Sequence, residues 1–221
     1  MKLDAVDVRQ AASAADIVYE ALRKAIIEGD IAEGENLRQD HIAQMFNTSR
    51  IPVREALSRL EQHGLITTER YKGAVVAGLS IEEIEEIFEF RALIEAEVIR
   101  LAVPNLDRRT LELARQHCEE FEQEDNSDRW GEINRNFHYS LYEAARRPYY
   151  LQIVRASLDR IDRYLRAQLT LTSGVARARR EHKAILDACM ARDAERASAL
   201  TRDHILDAGR SLTIFLREQR G

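Results

Sequence analysis

From Ala14 to Glu28 the hydrophobic positions recur at helical spacing: Ile17, Val18, Ala21, Leu22, Ala25 and Ile26 form one stripe, which Gly29 and Gly34 interrupt. A shorter stripe of Ile42, Ala43 and Phe46 predicts a second helix over 39–46, and Asn47-Thr48 reads as a turn. Ser49 is placed to cap a third helix running to about His63. Pro52 sits in its first turn, where backbone N–H groups have no helical partner, and Gly64 lies just past its end. The period then changes. Leu65–Thr68 and Ala74–Ala77 are short β-type runs, and the polar stretch Glu69 to Gly73 predicts a hairpin with Gly73 in or beside the turn.

Gly78-Leu79 reads as a short linker, and Ser80-Ile81-Glu82-Glu83 has the capping-box spacing that opens a new helix. Beyond it the periodicity is helical to the end. Pro104-Asn105, Asp125-Asn126, Pro148, Ser173-Gly174 and Arg192-Asp193 divide it into six helices, near 81–103, 107–124, 128–145, 149–171, 174–191 and 194–218. The expected fold is therefore mainly α: three helices and a hairpin, the parts of a winged helix-turn-helix, over 1–78 and a C-terminal all-α six-helix bundle over 79–221.

Composition agrees with two small helix-rich domains: 221 residues, 45% hydrophobic and 32% charged, with 9 Gly and 3 Pro. No apolar run approaches the roughly 18 residues of a membrane span. The stretch from Met1 to Gln10 is polar and has no signal-peptide core, so a cytoplasmic protein with no membrane partner is expected. Cys118 and Cys189 stand far apart in helical patterns and read as reduced, packed thiols. A net charge of −5 argues against nucleic acid only if charge is spread evenly, so its distribution decides.

That distribution is uneven. A helix beginning Ser49-Arg50-Ile51-Pro52-Val53-Arg54 after a short turn has the layout of a helix-turn-helix, whose second helix enters the major groove by its N-terminal end. Arg50 and Arg54, four apart, share a face and can each fork onto a guanine or clamp a phosphate. Ser49 and the free N–H groups of the helix start suit a phosphate oxygen. Arg70 and Lys72 sit at the hairpin tip, where a wing reaches flanking DNA. Solvated arginines on a small bundle are the alternative that charge and spacing leave open.

The segments Ile26-Ile27-Glu28-Gly29, Gly34-Glu35-Asn36-Leu37, Ser49 to Leu57, Leu60-Glu61 and His63-Gly64-Leu65-Ile66, followed by Gly73, resemble the DNA-binding domain of the GntR family of regulators over roughly 14–77. The resemblance implies a winged helix with Arg50 and Arg54 on double-stranded operator DNA and Gly73 in the wing. Arg38, just before the second helix, is a further candidate for a phosphate, and Pro52 belongs to the block that carries the resemblance.

Three of the six histidines lie on apolar helical stripes: His138 beside Phe137 and Leu141, His182 with Ile185 and Leu186, and His204 with Leu200 and Ala208. Each can be a separately satisfied core residue, or all three can meet at one metal ion. Asn134, one turn before His138, offers a fourth donor. His41, His63 and His117 lie on polar stretches and read as solvated, and Tyr139, Tyr142 and Tyr164 are candidates for pocket lining or core.

Arg91-Ala92-Leu93-Ile94-Glu95, Asn134 to His138, Glu181-His182 and Asp203-His204 resemble the FCD ligand-binding domain of the FadR branch of the same family, over roughly 80–218. The resemblance implies a divalent metal on Asn134, His138, His182 and His204, a homodimer, and a small organic-acid effector. Asn is a weaker ligand than the alternative Asp. Three nitrogens and one oxygen suit Zn²⁺, with Ni²⁺ or Mn²⁺ also compatible. An open metal position would accept a carboxylate whose other end Arg91 holds, unless Arg91 simply pairs with Glu95 one turn on. The expected function is a transcription regulator whose DNA affinity a small acid lowers. A metal-dependent hydrolase using Glu181 or Glu95 as base is the alternative, although no His-Glu-x-x-His motif is present.

Overall fold

A computed structural model of the chain describes residues 13–171 and 174–220. The chain separates after Gly78 into two compact units.

In the first unit, α1 (Ala14–Glu28) starts at a complete capping box. The Ser13 hydroxyl accepts from Asp16 N–H, and the Asp16 carboxylate accepts from Ser13 N–H at 3.0 Å. Gly29 ends it at φ +84°, a conformation that glycine adopts without steric cost. Helices α2 (Gln39–Met45) and α3 (Arg50–Gln62) follow. Leu22, Ile26, Val53, Leu57, Leu60 and Ile66 join in one core. Strand β1 (Ile66–Glu69) pairs antiparallel with β2 (Gly73–Val76), Ile66 facing Val76 and Glu69 facing Gly73. Both strands lie one residue off the pattern-based positions, for opposite reasons. Leu65 is held back by its N–H bond to Leu60 O at the end of α3, whereas Gly73 joins the ladder. The hairpin turn has left-handed backbone at Tyr71 (φ +72°). The Asn36 side-chain amide donates to the Lys72 carbonyl, which ties the hairpin to the segment before α2.

The second unit holds α4 (Ile81–Ala102), α5 (Arg108–Gln123), α6 (Ser127–Tyr142), α7 (Pro148–Leu171), α8 (Gly174–Met190) and α9 (Ala194–Arg220) among the described residues. Ser80 and Glu83 form the capping box expected at the start of α4. The helix expected over 128–145 is shorter: α6 ends at Tyr142, and Glu143–Ala145 tightens into a 3-10 turn closed by Arg146 at φ +54°. One core joins Ile99, Phe137, Leu141, Val154 and Ile185. Both cysteines lie in it, and burial pushes their thiols up, Cys118 to about 11 and Cys189 to about 12, so both stay protonated as expected. No helix among the described residues is long and apolar enough to cross a membrane.

A second core joins Phe88, Ala92, Ile161, Ile205 and Leu212, along the seam of α4 and α9. Gly209 belongs to this seam: a Cβ there would stand 2.7 Å from Phe88 Cγ. Gly209→Ala gains about 1 kcal/mol of helix propensity but forces a buried ring to move, at about 1–3 kcal/mol. A net loss of up to about 2 kcal/mol is expected in denaturant unfolding, and a raised midpoint would refute this account of the seam.

Candidate functional site

The DNA-facing candidates sit where amphipathic α3 leaves them. Val53, Ala56, Leu57 and Leu60 are buried, which turns Arg50 and Arg54 to solvent. The Arg50 side chain is 72% exposed, and its Nε pairs with Asp40 on α2. Ser49 is the N-cap of α3 in extended conformation, but its side chain makes no cap hydrogen bond. Its hydroxyl and the first N–H groups of α3 are left open to an anion. Ile51, missed by sequence reasoning, is 60% exposed beside Arg50. Pro52 is the third residue of α3, and Arg38 is the exposed N-cap of α2. On the hairpin, Lys72 is exposed and 2.8 Å from Glu69, Arg70 lies over the Tyr71 ring, and Gly73 holds φ +81°.

Two histidines depart from expectation. His63 is partly buried, its Nδ1 2.6 Å from the Tyr19 hydroxyl. Arg59 covers the same Tyr19 ring and pairs with Asp16 at 2.6 Å, so these groups fasten α1 to the end of α3. His117 is mostly covered, with Nδ1 3.7 Å from Glu120. His41 is exposed as expected.

The three stripe histidines do converge. Donor atoms of His138 on α6, His182 on α8 and His204 on α9 lie within 4.8 Å of one another, all three buried. Their rings are mutually about 5 Å apart, centre to centre. Phe121 and Phe137 pack against the His182 ring at 4.9 and 4.5 Å and fix its position. Neither His182 nitrogen has a hydrogen-bond partner among the described residues. An imidazole buried in this way leaves polar atoms unsatisfied at about 1–3 kcal/mol each unless something else fills the gap. Burial, reinforced by His204, holds the His182 pKa well below the usual histidine range. Burial, then His182, His204 and Arg91, does the same to His138. Neutral imidazoles are the form that binds metal.

The surrounding groups orient two of the three. Tyr142 donates its hydroxyl proton to Glu95 Oε2 at 3.0 Å, so His138 Nδ1, 3.3 Å from the Tyr142 hydroxyl oxygen, must carry the proton of their contact. Glu181 Oε2 stands 2.7 Å from His204 Nδ1 and accepts from it. With Nδ1 engaged in this way, Nε2 is the nitrogen that each ring can offer to an ion, an arrangement common behind metal-bound imidazoles. Burial and the neighbouring Glu95 hold the Tyr142 phenol well above its usual pKa, so it remains a donor. Tyr164 instead accepts from Leu79 N–H, outside this network.

A cavity of about 40 Å³ adjoins the centre, lined by Asn134, His138 and His204 together with Arg91, Arg177 and Glu181. Arg91 is buried and donates through Nε to Glu95 Oε1 at 2.7 Å. Arg91 thus pairs with Glu95, as its spacing allowed, and also lines the cavity. Asn134 is half-buried, one turn from His138 on α6.

Residues 14–76 match the bacterial regulatory proteins of the gntR family, and residues 86–207 match the FCD domain. The chain belongs to the GntR family. It is 31% identical over 201 residues to the HTH-type transcriptional repressor GlaR of Escherichia coli, across 85% of this chain and 90% of that protein. It is 42% identical over 94 residues to the gluconate operon transcriptional repressor of Bacillus subtilis, across 42% of this chain and 38% of that one. A GntR family member of known structure from Pseudomonas syringae aligns over 94% of this chain and 87% of that chain, with a TM-score of 0.58 and 32% identity. This GntR-family chain is accordingly a DNA-binding transcriptional regulator with an FCD ligand-binding domain. Both domains are those of regulators, which removes the hydrolase alternative.

Proposed function

We propose that this GntR regulator binds its operator as a homodimer and releases it when a small organic acid occupies a metal centre in the FCD domain. The metal, Zn²⁺ by its donor set with Ni²⁺ or Mn²⁺ compatible, is held by His138, His182 and His204 with Asn134 as the oxygen donor. The observation that carries this assignment is His182: a fully buried imidazole with both nitrogens unpartnered among the described residues, beside two buried histidines that each offer a donor atom within 4.8 Å of it. A bound divalent ion supplies an open coordination position for a carboxylate. Arg91, on the wall of the same cavity, receives the acid's other oxygens. One relative represses a gluconate operon, and gluconate is itself a hydroxy acid, which accords with this effector class.

In the N-terminal unit, Arg50 and Arg54 read base edges. Ser49, Arg38 and Lys72 take phosphates, Pro52 lies in the first turn of the reading helix, and Gly73 shapes the wing. A single helix reads few base pairs, so a two-fold dimer on a palindrome multiplies the discrimination. Regulation requires that the acid bind more tightly to the DNA-free arrangement.

The test starts from a duplex that the zinc-loaded protein itself selects from a randomised pool. The selected site is expected to be a palindrome, and titration with small carboxylic acids should weaken binding to it. An acid that raises affinity would overturn the proposed direction of control, and a selected site without symmetry would overturn the dimer.

A further inference from the structure

The contacts behind the histidines repeat a pattern that includes one residue with no role so far. On α4, Arg91 pairs with Glu95, and Glu95 reaches His138 through Tyr142. On α8, Arg177 Nε lies 3.5 Å from Glu181 Oε1, while Glu181 Oε2 accepts from His204 directly. In both cases the arginine precedes its carboxylate by four residues, one turn along a single helix face. Both arginines line the cavity that His138 and His204 also line. Each therefore leads, through a carboxylate, to a different histidine. Arg177 also donates to Ser211 on α9, which braces it, and its side chain keeps 27% exposure.

We propose that Arg177 is a second anion-receiving arm of this cavity and that the effector is a short dicarboxylate, one end at Arg91 and the histidine centre and the other at Arg177. The proposal rests on the acid-binding role given to the cavity above. A guanidinium presents five N–H donors in a planar fork. Arg91 uses Nε toward Glu95 and Arg177 uses Nη1 toward Ser211, while the buried Arg177 Nε, 3.5 Å from Glu181 Oε1, has no hydrogen-bond partner among the described residues. Terminal donors remain on each for a carboxylate, and two such arms on different helices match an acid charged at both ends. The other carboxylate on the wall, Asp162, is already held by Arg135 at 2.8 Å. The cavity is small, at about 40 Å³, which favours a short acid.

The same wiring couples acid to metal. When an acid shares the Arg177 guanidinium, Glu181 loses part of its cationic partner and becomes a stronger acceptor for His204 Nδ1–H. A more strongly held N–H makes the opposite ring nitrogen a better metal ligand. Acid and metal should therefore tighten each other, and by linkage to the same extent.

The experiment measures zinc affinity of the full-length protein by competition with a chelating dye, alone and with acetate or succinate, and thermal midpoints under the same conditions. Wild type is expected to hold zinc about tenfold more tightly with succinate than with acetate, the size of one charge-assisted hydrogen bond. Arg177→Gln should hold zinc without acid at least as tightly as wild type, because Glu181 loses its cationic neighbour, and should keep the acetate response but lose the succinate advantage, whereas Arg177→Lys should regain part of it. Equal effects of the two acids on wild type, or a succinate preference that survives Arg177→Gln, would overturn the second arm. If neither acid changes zinc affinity or midpoint in wild type, the acid-binding role of the cavity falls, and this proposal with it. If wild type binds no zinc, the metal assignment falls, and the succinate–acetate difference in midpoint between wild type and Arg177→Gln decides the role of Arg177.

Discussion

Replacing Arg50 and Arg54 together by alanine is expected to abolish sequence-specific DNA binding and leave the fold intact. Both side chains point away from the core that Val53, Leu57 and Leu60 build, and exposed substitutions of this kind usually stay within about 0.5 kcal/mol. The pair of Arg50 with Asp40 is mostly exposed and contributes at most about 1 kcal/mol. Against that small structural effect, each two-pronged contact to a guanine is worth about 1–3 kcal/mol of discrimination. Two per half-site amount to roughly 30-fold to more than 10,000-fold in affinity for the selected duplex. The pattern of loss identifies the contact. A base-reading arginine costs affinity mainly for the selected sequence, whereas a phosphate clamp weakens all sequences alike and lowers the salt slope by about one. Anisotropy titrations of selected and scrambled duplexes at two salt concentrations separate these outcomes. Undiminished affinity of the double variant for the selected duplex would remove α3 as the reading helix.

Most of the fold was legible because each helix buries one stripe, and a stripe is visible in sequence. The strands were placed one residue off because four-residue strands carry almost no periodicity. What sets their ends is backbone: the left-handed turn at Tyr71, a residue type that does not announce one, and the bond from Leu65 back to α3. The histidine centre was legible in part. His138, His182 and His204 stood out as polar residues on apolar stripes, but only the tertiary packing of α6, α8 and α9 shows that their nitrogens meet. The opposite error occurred at His63, where polar sequence neighbours suggested solvent. Its partner, Tyr19, lies 44 residues away in sequence. Arg177 was hidden for another reason. It opens the run Arg177-Ala178-Arg179-Arg180, and nothing local says which of three arginines turns inward. Arg180 is exposed and bonds its own helix, and Arg179 caps carbonyls of Phe121 and Glu124, so helical phase together with the position of α5 makes the choice. The spacing of Arg177 to Glu181, the same as that of Arg91 to Glu95, is the signal that could have found it.

Zinc should raise the thermal midpoint of the metal-free wild type by roughly 10 °C, and His182→Leu should remove that response. A ligand that binds only the folded state stabilises it by about 4 kcal/mol when present at a thousand times its Kd. For a unit of this size each kcal/mol moves the midpoint by about 2–4 °C. Leucine takes away one of three imidazole donors, and His138, His204 and Asn134 then hold an ion far less tightly. The metal-free comparison runs the other way. Leucine fits an apolar slot between Phe121 and Phe137 and leaves no orphaned nitrogens, so the metal-free variant should be as stable as metal-free wild type or more so. A histidine kept only for core packing would produce a different pair of results: a destabilised variant, and no dependence on zinc in either protein. A full zinc response in His182→Leu would take His182 out of the metal site. Its two unpartnered nitrogens would then need some other occupant of the same buried space.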